Sequence, residues 1–267
     1  MASPPANTLR YEAQRWLRRS KRRFNLRERH PRPHFLGVGT QKGGTTTLYQ
    51  LLKPHPEIYL PDNKEIHFFT KHYEQGECWY REQFSNAPAG CLRGEITPYY
   101  LFHEAVPERI RALRPEMKII ALLRHPVERT LSQYFHSCRW NLEPLSLEDA
   151  LAAEGDRLAS GHARSHQEHS YLARSRYDQQ LPRYFERFGR ERVLVLRSED
   201  LFDGDPEVLR ALERFLAIEP FSNDTLIPRA NPGLGEADQV PASVRRLLER
   251  ELAPTFDWLE RELGLHW

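Results

Sequence analysis

The stretch from His34 to Leu52, HFLGVGTQKGGTTTLYQLL, places the strongest constraint on the fold of this 267-residue chain. Phe35 to Gly39 has the length and apolar character of a buried strand, Gln41 to Gly44 predicts a tight turn, and Thr45 to Leu52 predicts a helix. A strand, a glycine turn and a helix in this order indicate the first unit of an α/β fold.

The turn contains residue types that suit the binding of an anion. Gly43 and Gly44 leave the backbone free of Cβ atoms, and the start of the helix directs unpaired N–H groups toward the turn. Lys42 adds a compact positive charge. Hydroxyl donors come from Thr45, Thr46 and Thr47. We therefore predict a phosphate-binding loop, and the alternative is a glycine turn that only joins a strand to a helix.

The position of the lysine separates this loop from that of the nucleoside triphosphatases. Their motif, G-x-x-x-x-G-K-[ST], places lysine directly after the second glycine, where it reaches the terminal phosphates. Gly39 and Gly44 have the required separation, but Thr45 and Thr46 follow them and Lys42 lies inside the loop. This order disfavours ATP and magnesium chemistry.

Length and charge predict one folded domain with a basic extension. A chain of 267 residues with 39% hydrophobic residues can form one sizeable core. Residues 1–33 contain ten Lys or Arg and two Asp or Glu, whereas the whole chain contains 39 and 37. We assign residues 1–33 to a basic N-terminal arm, interpreted as a solvated tail, and 34–267 to the domain. Nucleic acid, anionic lipid or an acidic polymer are the alternative contacts of the arm.

The sequence also predicts the compartment. It contains no apolar run near its N-terminus that resembles a signal peptide or a membrane span, so we expect a soluble, cytoplasmic protein. We expect no specific nucleic-acid partner, because a run of basic residues alone does not identify one. The sequence has three cysteines, Cys78, Cys91 and Cys138, which is an odd number, and their spacing is not that of a metal site. This pattern favours free thiols in a reducing compartment.

Two further segments contain candidate site residues. If residues Lys64 to Phe69 are extended, Glu65 and His67 lie on one side, where they can transfer protons, although a surface carboxylate and a structural histidine are the simpler interpretation. Lys118 to Leu123 predicts a central parallel strand, which places the next residue, Arg124, at a carboxyl end, where open α/β sheets bind ligands.

Ser132 lies about two turns along the helix that follows Arg124. An arginine and a serine hydroxyl at such positions predict a second anion site, and two anion sites suggest a ligand with two phosphates.

The remaining elements are predicted from local patterns. Strands are predicted at Glu57 to Leu60 and Arg192 to Leu196. Gly94 to Tyr100 is predicted to form a turn and an ordered loop, and Ala159 to Ser170 an exposed loop with solvated histidines. Helices are predicted at Ala105–Arg114, Val127 onward, Ser146–Leu158, Tyr177–Phe188, Pro206–Ala217, Ala242–Leu252 and Thr255–Leu263, with a long loop at Asn223–Asp238.

These motifs together resemble the sulfotransferases that use 3′-phosphoadenosine-5′-phosphosulfate (PAPS). Gln41 to Leu48 is similar to the family's 5′-phosphosulfate loop, and Leu123 to Ser132 is similar to its 3′-phosphate motif. The segment from Lys64 to Tyr80 is similar in type to the heparan sulfate branch. The resemblance covers roughly residues 34–267 and implies a P-loop-NTPase-like sulfotransferase fold with a mostly parallel sheet flanked by helices.

The resemblance also implies roles. Lys42 would stabilise the leaving group, Glu65 would be the general base with His67 as the competing candidate, and Arg124 and Ser132 would bind the 3′-phosphate. PAPS would be the donor, 3′-phosphoadenosine 5′-phosphate (PAP) the product and a hydroxyl or amine of a carbohydrate or other metabolite the acceptor, without a metal.

Departures from the heparan sulfate branch limit this transfer of roles. We expect the chain to lack the membrane anchor of the animal enzymes, and the sequence has no cysteine after Cys138 for the late disulfide that some of them contain. The loop with Arg229 lies where it would cover the nucleotide but matches weakly. A phosphate-loop kinase and a non-enzymatic nucleotide-binding module are the alternatives, and the sequence does not indicate an oligomeric state.

Overall fold

Residues 31–222, 225–228 and 236–267 are described by the computed structural model. The basic arm up to residue 30 and the loop residue Arg229 lie outside the described residues. The strands are β1 (Phe35–Gly39), β2 (Ile58–Tyr59), β3 (Leu92–Ile96), β4 (Lys118–Leu123) and β5 (Val193–Arg197). The α-helices of the described residues are α1 (Thr45–Leu52), α2 (Gly76–Glu82), α3 (Val106–Leu113), α4 (Pro126–Arg139), α5 (Leu147–Ala159), α6 (Ala163–Glu168), α7 (Tyr177–Phe188), α8 (Ser198–Phe202), α9 (Pro206–Leu216) and α10 (Ala242–Leu263).

The five strands form one parallel sheet in the order β2-β3-β1-β4-β5. Alternate residues of β4 contribute to two different core clusters: Ile119, Ala121 and Leu123 to one, Ile120 and Leu122 to the other. Since residues Ile119 to Leu123 are fully buried, both faces of the sheet are covered. The predicted single α/β domain with a parallel sheet is confirmed.

The prediction for Gly94 to Tyr100 is wrong, because Gly94 lies inside β3 rather than in a turn. A Cβ atom on Gly94 would lie 2.3 Å from the ring of Phe35 on the neighbouring strand. This glycine therefore permits close packing inside the sheet, a reason that only the fold reveals.

The C-terminal segment also differs from the prediction. One helix, α10, replaces the two predicted helices and continues through Pro254. Val244, Leu248, Leu252 and Leu259 form one buried stripe along it, whereas Pro254 lies on the exposed side. There the backbone carbonyl that a proline leaves unpaired can bind water, so the packing of the buried stripe preserves the helix.

Two smaller corrections concern a strand and a loop. The second strand contains only Ile58 and Tyr59 of the four residues predicted. The predicted loop at Ala159–Ser170 contains helix α6, and two of its histidines are not solvated. The ring nitrogen Nδ1 of His166 lies 2.6 Å from the Tyr99 hydroxyl, and Nε2 of His169 lies 3.1 Å from the Leu142 carbonyl oxygen.

Candidate active site

The loop between β1 and α1 has the predicted turn geometry. Lys42 and Gly44 have φ angles of 69° and 82°, both in the left-handed region. A Cβ atom on Gly43 would lie 2.7 Å from the Leu122 carbonyl oxygen, and one on Gly44 would lie 2.5 Å from the ring of Phe202. Both glycines are therefore required for packing against the protein, in addition to any room that they leave for a ligand.

Strand β4 and helix α8 hold this loop in place. The Thr40 N–H donates to the Leu122 carbonyl oxygen at 2.7 Å. The buried Ser198 hydroxyl lies 2.6 Å from the Gly43 carbonyl oxygen and 2.7 Å from that of Leu123. Sequence reasoning missed Ser198, because its contact with Gly43 spans 155 residues and leaves no local pattern.

Arg124 lies at the carboxyl end of β4, beside the loop, as predicted. Its guanidinium Nη1 contacts the Lys42 carbonyl oxygen at 3.4 Å, and its own carbonyl oxygen accepts a hydrogen bond of 3.0 Å from the Tyr177 hydroxyl. Ser132 follows on α4, where it is half-buried. The first predicted anion site and the arginine of the second thus meet at one edge of the sheet.

Lys42 lies in strongly cationic surroundings. Burial, followed by the charges of Arg139, Arg124 and Arg129, lowers the pKa of Lys42 from 10.5 to about 8. An anion beside the lysine would offset the repulsion among these four cations and raise that pKa again. The electrostatics of the loop therefore favour a negatively charged ligand.

The other loop residues differ in their exposure. Gln41 and Thr46 are half-buried, whereas Thr45 and Thr47 are buried. Since α1 begins at Thr45, these three threonines form its first turn, the part of a helix that suits anion binding. Their predicted contacts with phosphate stay predictions.

Glu65 and His67 meet, although not for the predicted reason. The segment is not a strand, and His67 has a φ of 56° in the left-handed region. The His67 Nε2 atom lies 3.4 Å from Glu65 Oε2, and Lys64 Nζ lies 2.9 Å from Glu65 Oε1. Ile66 between them is buried, as predicted. The bend, rather than an alternating strand, brings the carboxylate and the imidazole together.

These contacts determine the ionisation of Glu65. Burial alone would raise its pKa, but the hydrogen bond from His67 and the charge of Lys64 outweigh burial and lower the pKa from 4.5 to about 2. Glu65 is therefore ionised at neutral pH and can accept a proton or a hydrogen bond.

A cavity of about 190 Å³ connects the phosphate loop with this carboxylate. Gln41 of the loop, Glu65 and His67 all line it, and the other lining residues include Tyr99, His136 and Arg174. The proton-transfer candidates and the anion loop thus share one cleft, which the sequence predicted only through the family resemblance.

His136 is a site residue that sequence reasoning missed. It follows Ser132 by one turn of α4, and this spacing is the signal that could have identified it. Burial, followed by the charges of Lys42 and Arg139, lowers the pKa of His136 from 6.5 to about 4. The imidazole is therefore neutral at pH 7 and can both donate and accept hydrogen bonds.

The described ranges show neither a metal-binding group nor a membrane-spanning helix. Within residues 31–222, 225–228 and 236–267, no group of three or more His, Cys, Asp or Glu is arranged to hold a metal ion. None of the helices in the same ranges is long and apolar enough to cross a membrane. The three cysteines are free thiols, as predicted.

Comparison with known proteins identifies the family. The profile of the family described as "Sulfotransferase domain" matches residues 32–227, which is most of the chain. Heparan sulfate glucosamine 3-O-sulfotransferase 6 of Homo sapiens is 39% identical over 102 residues, or 38% of this chain and 30% of that protein. The membrane-associated sulfotransferase kil1 of Dictyostelium discoideum is 40% identical over 111 residues, or 40% of this chain and 24% of that protein. The matched region thus spans less than a third of these relatives.

Solved structures agree with the family match. The crystal structure of a sulfotransferase from Alicyclobacillus acidocaldarius superimposes with a TM-score of 0.75 and 29% identity, covering 89% of this chain and 98% of that one. A mouse sulfotransferase complexed with PAP shares the fold alone, with a TM-score of 0.53 and 16% identity over 88% of this chain and 87% of that one. The predicted likeness to the heparan sulfate branch is confirmed. The chain belongs to the sulfotransferase domain family.

Proposed function

We propose that this chain transfers a sulfuryl group from PAPS to a hydroxyl or amine of a carbohydrate or other metabolite. The observation that carries the proposal is the single cleft in which a cationic phosphate loop faces an ionised carboxylate across a cavity. The relatives named as sulfotransferases of heparan sulfate glucosamine support a carbohydrate acceptor.

The donor would be bound by two groups of residues. The 5′-phosphosulfate would be held by Gln41, Lys42, Gly43, Gly44, Thr45, Thr46 and Thr47, and the 3′-phosphate by Arg124 and Ser132. Support comes from the three arginines that lower the Lys42 pKa, because a ligand with several negative charges relieves their repulsion. Arg229 stays a prediction from the sequence.

The transfer itself would be in-line. The acceptor oxygen or nitrogen loses its proton to Glu65 and forms a bond to sulfur, while the bond between sulfur and the 5′-phosphate oxygen breaks. Lys42 would neutralise the charge that develops on this leaving oxygen. His67, 3.4 Å from Glu65, is the competing base. The low pKa of Glu65 makes its carboxylate a weak base, which favours His67 as the proton acceptor.

The cavity suggests the size of the reacting part of the acceptor. Its volume of about 190 Å³ lies below the range of roughly 300–1,000 Å³ that is typical of ligand pockets. We therefore propose that one ring-sized unit enters the cavity and that any longer acceptor continues outside. The cytoplasmic location and the lack of a specific nucleic-acid partner stay predictions from the sequence, and one relative is named as membrane-associated.

A transfer assay tests the proposal. PAPS with a labelled sulfuryl group is incubated with the chain and with representative sugars, phenols, amines and glycans, and labelled products are separated from the donor. Transfer to any acceptor supports the function. ATP turnover that requires magnesium would favour the kinase, and nucleotide binding without either reaction would favour the non-enzymatic module.

Donor binding should depend on pH through Lys42. Because its pKa in the free protein is about 8 and an anion raises it, binding takes up a proton, so affinity falls as pH rises. We expect the Kd of PAP, measured by calorimetry, to increase about tenfold between pH 7 and pH 9. Lys42→Met should bind more weakly and lose most of this dependence. The same slope in the variant would assign the proton to another group.

The 3′-phosphate should be recognised by Arg124. We expect the wild type to prefer PAP to adenosine 5′-phosphate, and Arg124→Ala to reduce this preference by about tenfold or more, since a charge-assisted contact contributes about 1.5–3 kcal/mol. Calorimetry with both nucleotides measures the preference. Arg210→Ala, which removes an arginine on the exposed side of α9, is the control. Equal loss of affinity for both nucleotides in Arg124→Ala would contradict the role.

A further inference from the structure

A buried carboxylate on β3 lies behind the segment that contains Glu65 and His67. Glu95 is 1% exposed and lies in the strand that sequence reasoning interpreted as a turn. Its Oε1 atom accepts hydrogen bonds from the Tyr80 hydroxyl at 2.7 Å and the Tyr100 hydroxyl at 3.0 Å. Its Oε2 atom accepts one from the Thr97 hydroxyl at 2.8 Å, and the Ile66 N–H also donates to the carboxylate.

The groups around Glu95 also contact the segment 65–69 directly. The Thr97 hydroxyl oxygen accepts a weak hydrogen bond of 3.5 Å from the His67 N–H. The Tyr100 hydroxyl oxygen accepts one of 3.3 Å from the Phe69 N–H. Glu95 is thus linked to the backbone of the segment once directly and twice through one intervening hydroxyl.

Tyr80 contacts the middle of the segment 65–69. Its ring stacks on that of Phe68 with centroids 4.2 Å apart and planes inclined by 6°. Since the Tyr80 hydroxyl donates to Glu95, the carboxylate fixes the ring on which the middle of the segment packs. Every residue from Ile66 to Phe69 therefore contacts Glu95 or one of its three hydroxyl partners.

The backbone of the segment requires such support. His67 has a left-handed φ of 56°, a conformation that residues other than glycine adopt at an energetic cost. In this bend the His67 Nε2 atom lies 3.4 Å from Glu65 Oε2, so a change in the bend would change the distance between the two side chains. Strained backbone of this kind persists only where surrounding contacts determine it.

We propose that Glu95 is a positioning residue that, through four hydrogen bonds, holds the bent segment 65–69 and thereby places Glu65 and His67 at the cavity. The activity part of this inference rests on the proposed function, whereas the structural part does not. Glu95 itself does not touch the acceptor, since its carboxylate is enclosed by Tyr80, Thr97, Tyr100 and the Ile66 N–H.

The ionisation of Glu95 provides an independent readout. Burial raises its pKa from 4.5 to about 7, although the four hydrogen bonds oppose this rise. The titratable groups that face it are Tyr80 and Tyr100, whose pKa values burial raises well above 10. Because the folded state binds the Glu95 proton more tightly than the unfolded state, this group's contribution to stability falls as pH rises from about 4.5 to about 7.

The experiment compares wild type with Glu95→Gln, Tyr80→Phe and Tyr184→Phe. Glutamine keeps the shape of Glu95 but turns an N–H group toward neighbours that donate hydrogen bonds. Tyr184→Phe is the matched control, because Tyr184 is also fully buried and its hydroxyl donates one bond of 2.7 Å to the Tyr100 backbone carbonyl oxygen rather than to the Glu95 carboxylate. This variant therefore removes a buried hydroxyl beside the same cluster without removing a bond to Glu95.

We expect hydrogen exchange at the Ile66, His67 and Phe69 amides to accelerate about tenfold or more in Glu95→Gln and Tyr80→Phe, and not in Tyr184→Phe. PAP affinity should stay within about twofold of the wild type in all three, while kcat falls by about tenfold or more in the first two. In urea unfolding, Glu95→Gln should remove the Glu95 part of the pH dependence between pH 5 and pH 8.

The outcomes separate this inference from the proposed function. Wild-type protection of segment 65–69 in Glu95→Gln overturns the positioning role, and so does equal acceleration in Tyr184→Phe. If Glu95→Gln does not fold, Tyr80→Phe decides in the same way. If the wild type transfers no sulfuryl group to any acceptor, the proposed function fails while the exchange result still tests the positioning role.

Discussion

Replacing Lys42 by alanine is expected to lower kcat by about 100- to 1,000-fold, the effect of removing one charged donor from a developing oxyanion. The KM for the acceptor should change by less than about twofold, because Lys42 lies in the phosphate loop rather than beside Glu65. Steady-state kinetics at saturating PAPS and several acceptor concentrations measure both quantities.

The physical reason is that Lys42 provides the positive charge of the loop. The carbonyl oxygen of Lys42 contacts Arg124, and its side chain lies among arginines that lower its pKa to about 8. The Lys42 side chain is therefore mostly charged at pH 7 and can stabilise the negative charge that develops on the leaving oxygen as the sulfuryl group departs.

A second lysine on the same helix unit provides the control. Lys53 follows α1 and is paired with Asp62, so Lys53→Ala removes the same charge without touching the loop. The Lys53 variant should keep wild-type kcat. A Lys42→Ala variant with unchanged turnover, or with a loss confined to acceptor KM, would contradict the role in leaving-group stabilisation.

Glu65→Gln is expected to lower kcat by about 100- to 10,000-fold, the usual contribution of a general base, and to leave PAP affinity unchanged. Glutamine has the size of glutamate but cannot take a proton, and Glu65 lies across the cavity from the nucleotide loop. Single-turnover transfer of labelled sulfuryl group, combined with PAP calorimetry, measures the two effects separately.

Two further variants are compared with Glu65→Gln. Glu77→Gln is the matched control, because the Glu77 side chain is 37% exposed and paired with arginines, close to the 39% exposure of Glu65. His67→Gln distinguishes the two candidate bases. If Glu65→Gln keeps full activity while His67→Gln loses it, the imidazole is the base, as the low pKa of Glu65 would favour.

Elements specified by their own residues could be predicted from the sequence. The strand at Phe35–Gly39 and the start of the helix at Thr45 could be predicted, because an apolar run, a glycine turn and a helix start are local signals. The predictions at Gly94 and Pro254 were wrong. The role of Gly94 depends on Phe35 across the sheet, and the effect of Pro254 depends on the buried stripe along α10.

The same distinction between local signals and contacts with distant residues applies to the candidate site. Lys42, Arg124 and the pair of Glu65 and His67 could be named because they lie in motifs with recognisable spacing. Ser198 could not, because its partner Gly43 is distant in sequence. The role of Glu95 could not, because it depends on hydroxyl groups around a strand that was interpreted as a turn. The contact between Glu65 and His67 was predicted from an alternating strand, but a left-handed bend produces it.

The contacts between α8 and the loop that joins β1 to α1 have a consequence for the synthesis of the protein. Gly43 and Gly44 are synthesised early, but Ser198 and Phe202, which pack against them, leave the ribosome about 155 residues later. A nascent chain can therefore contain the complete loop sequence long before the loop has its final contacts. If the loop binds nucleotide as proposed, capture on an immobilised nucleotide is expected to select finished molecules and to leave truncated translation products behind.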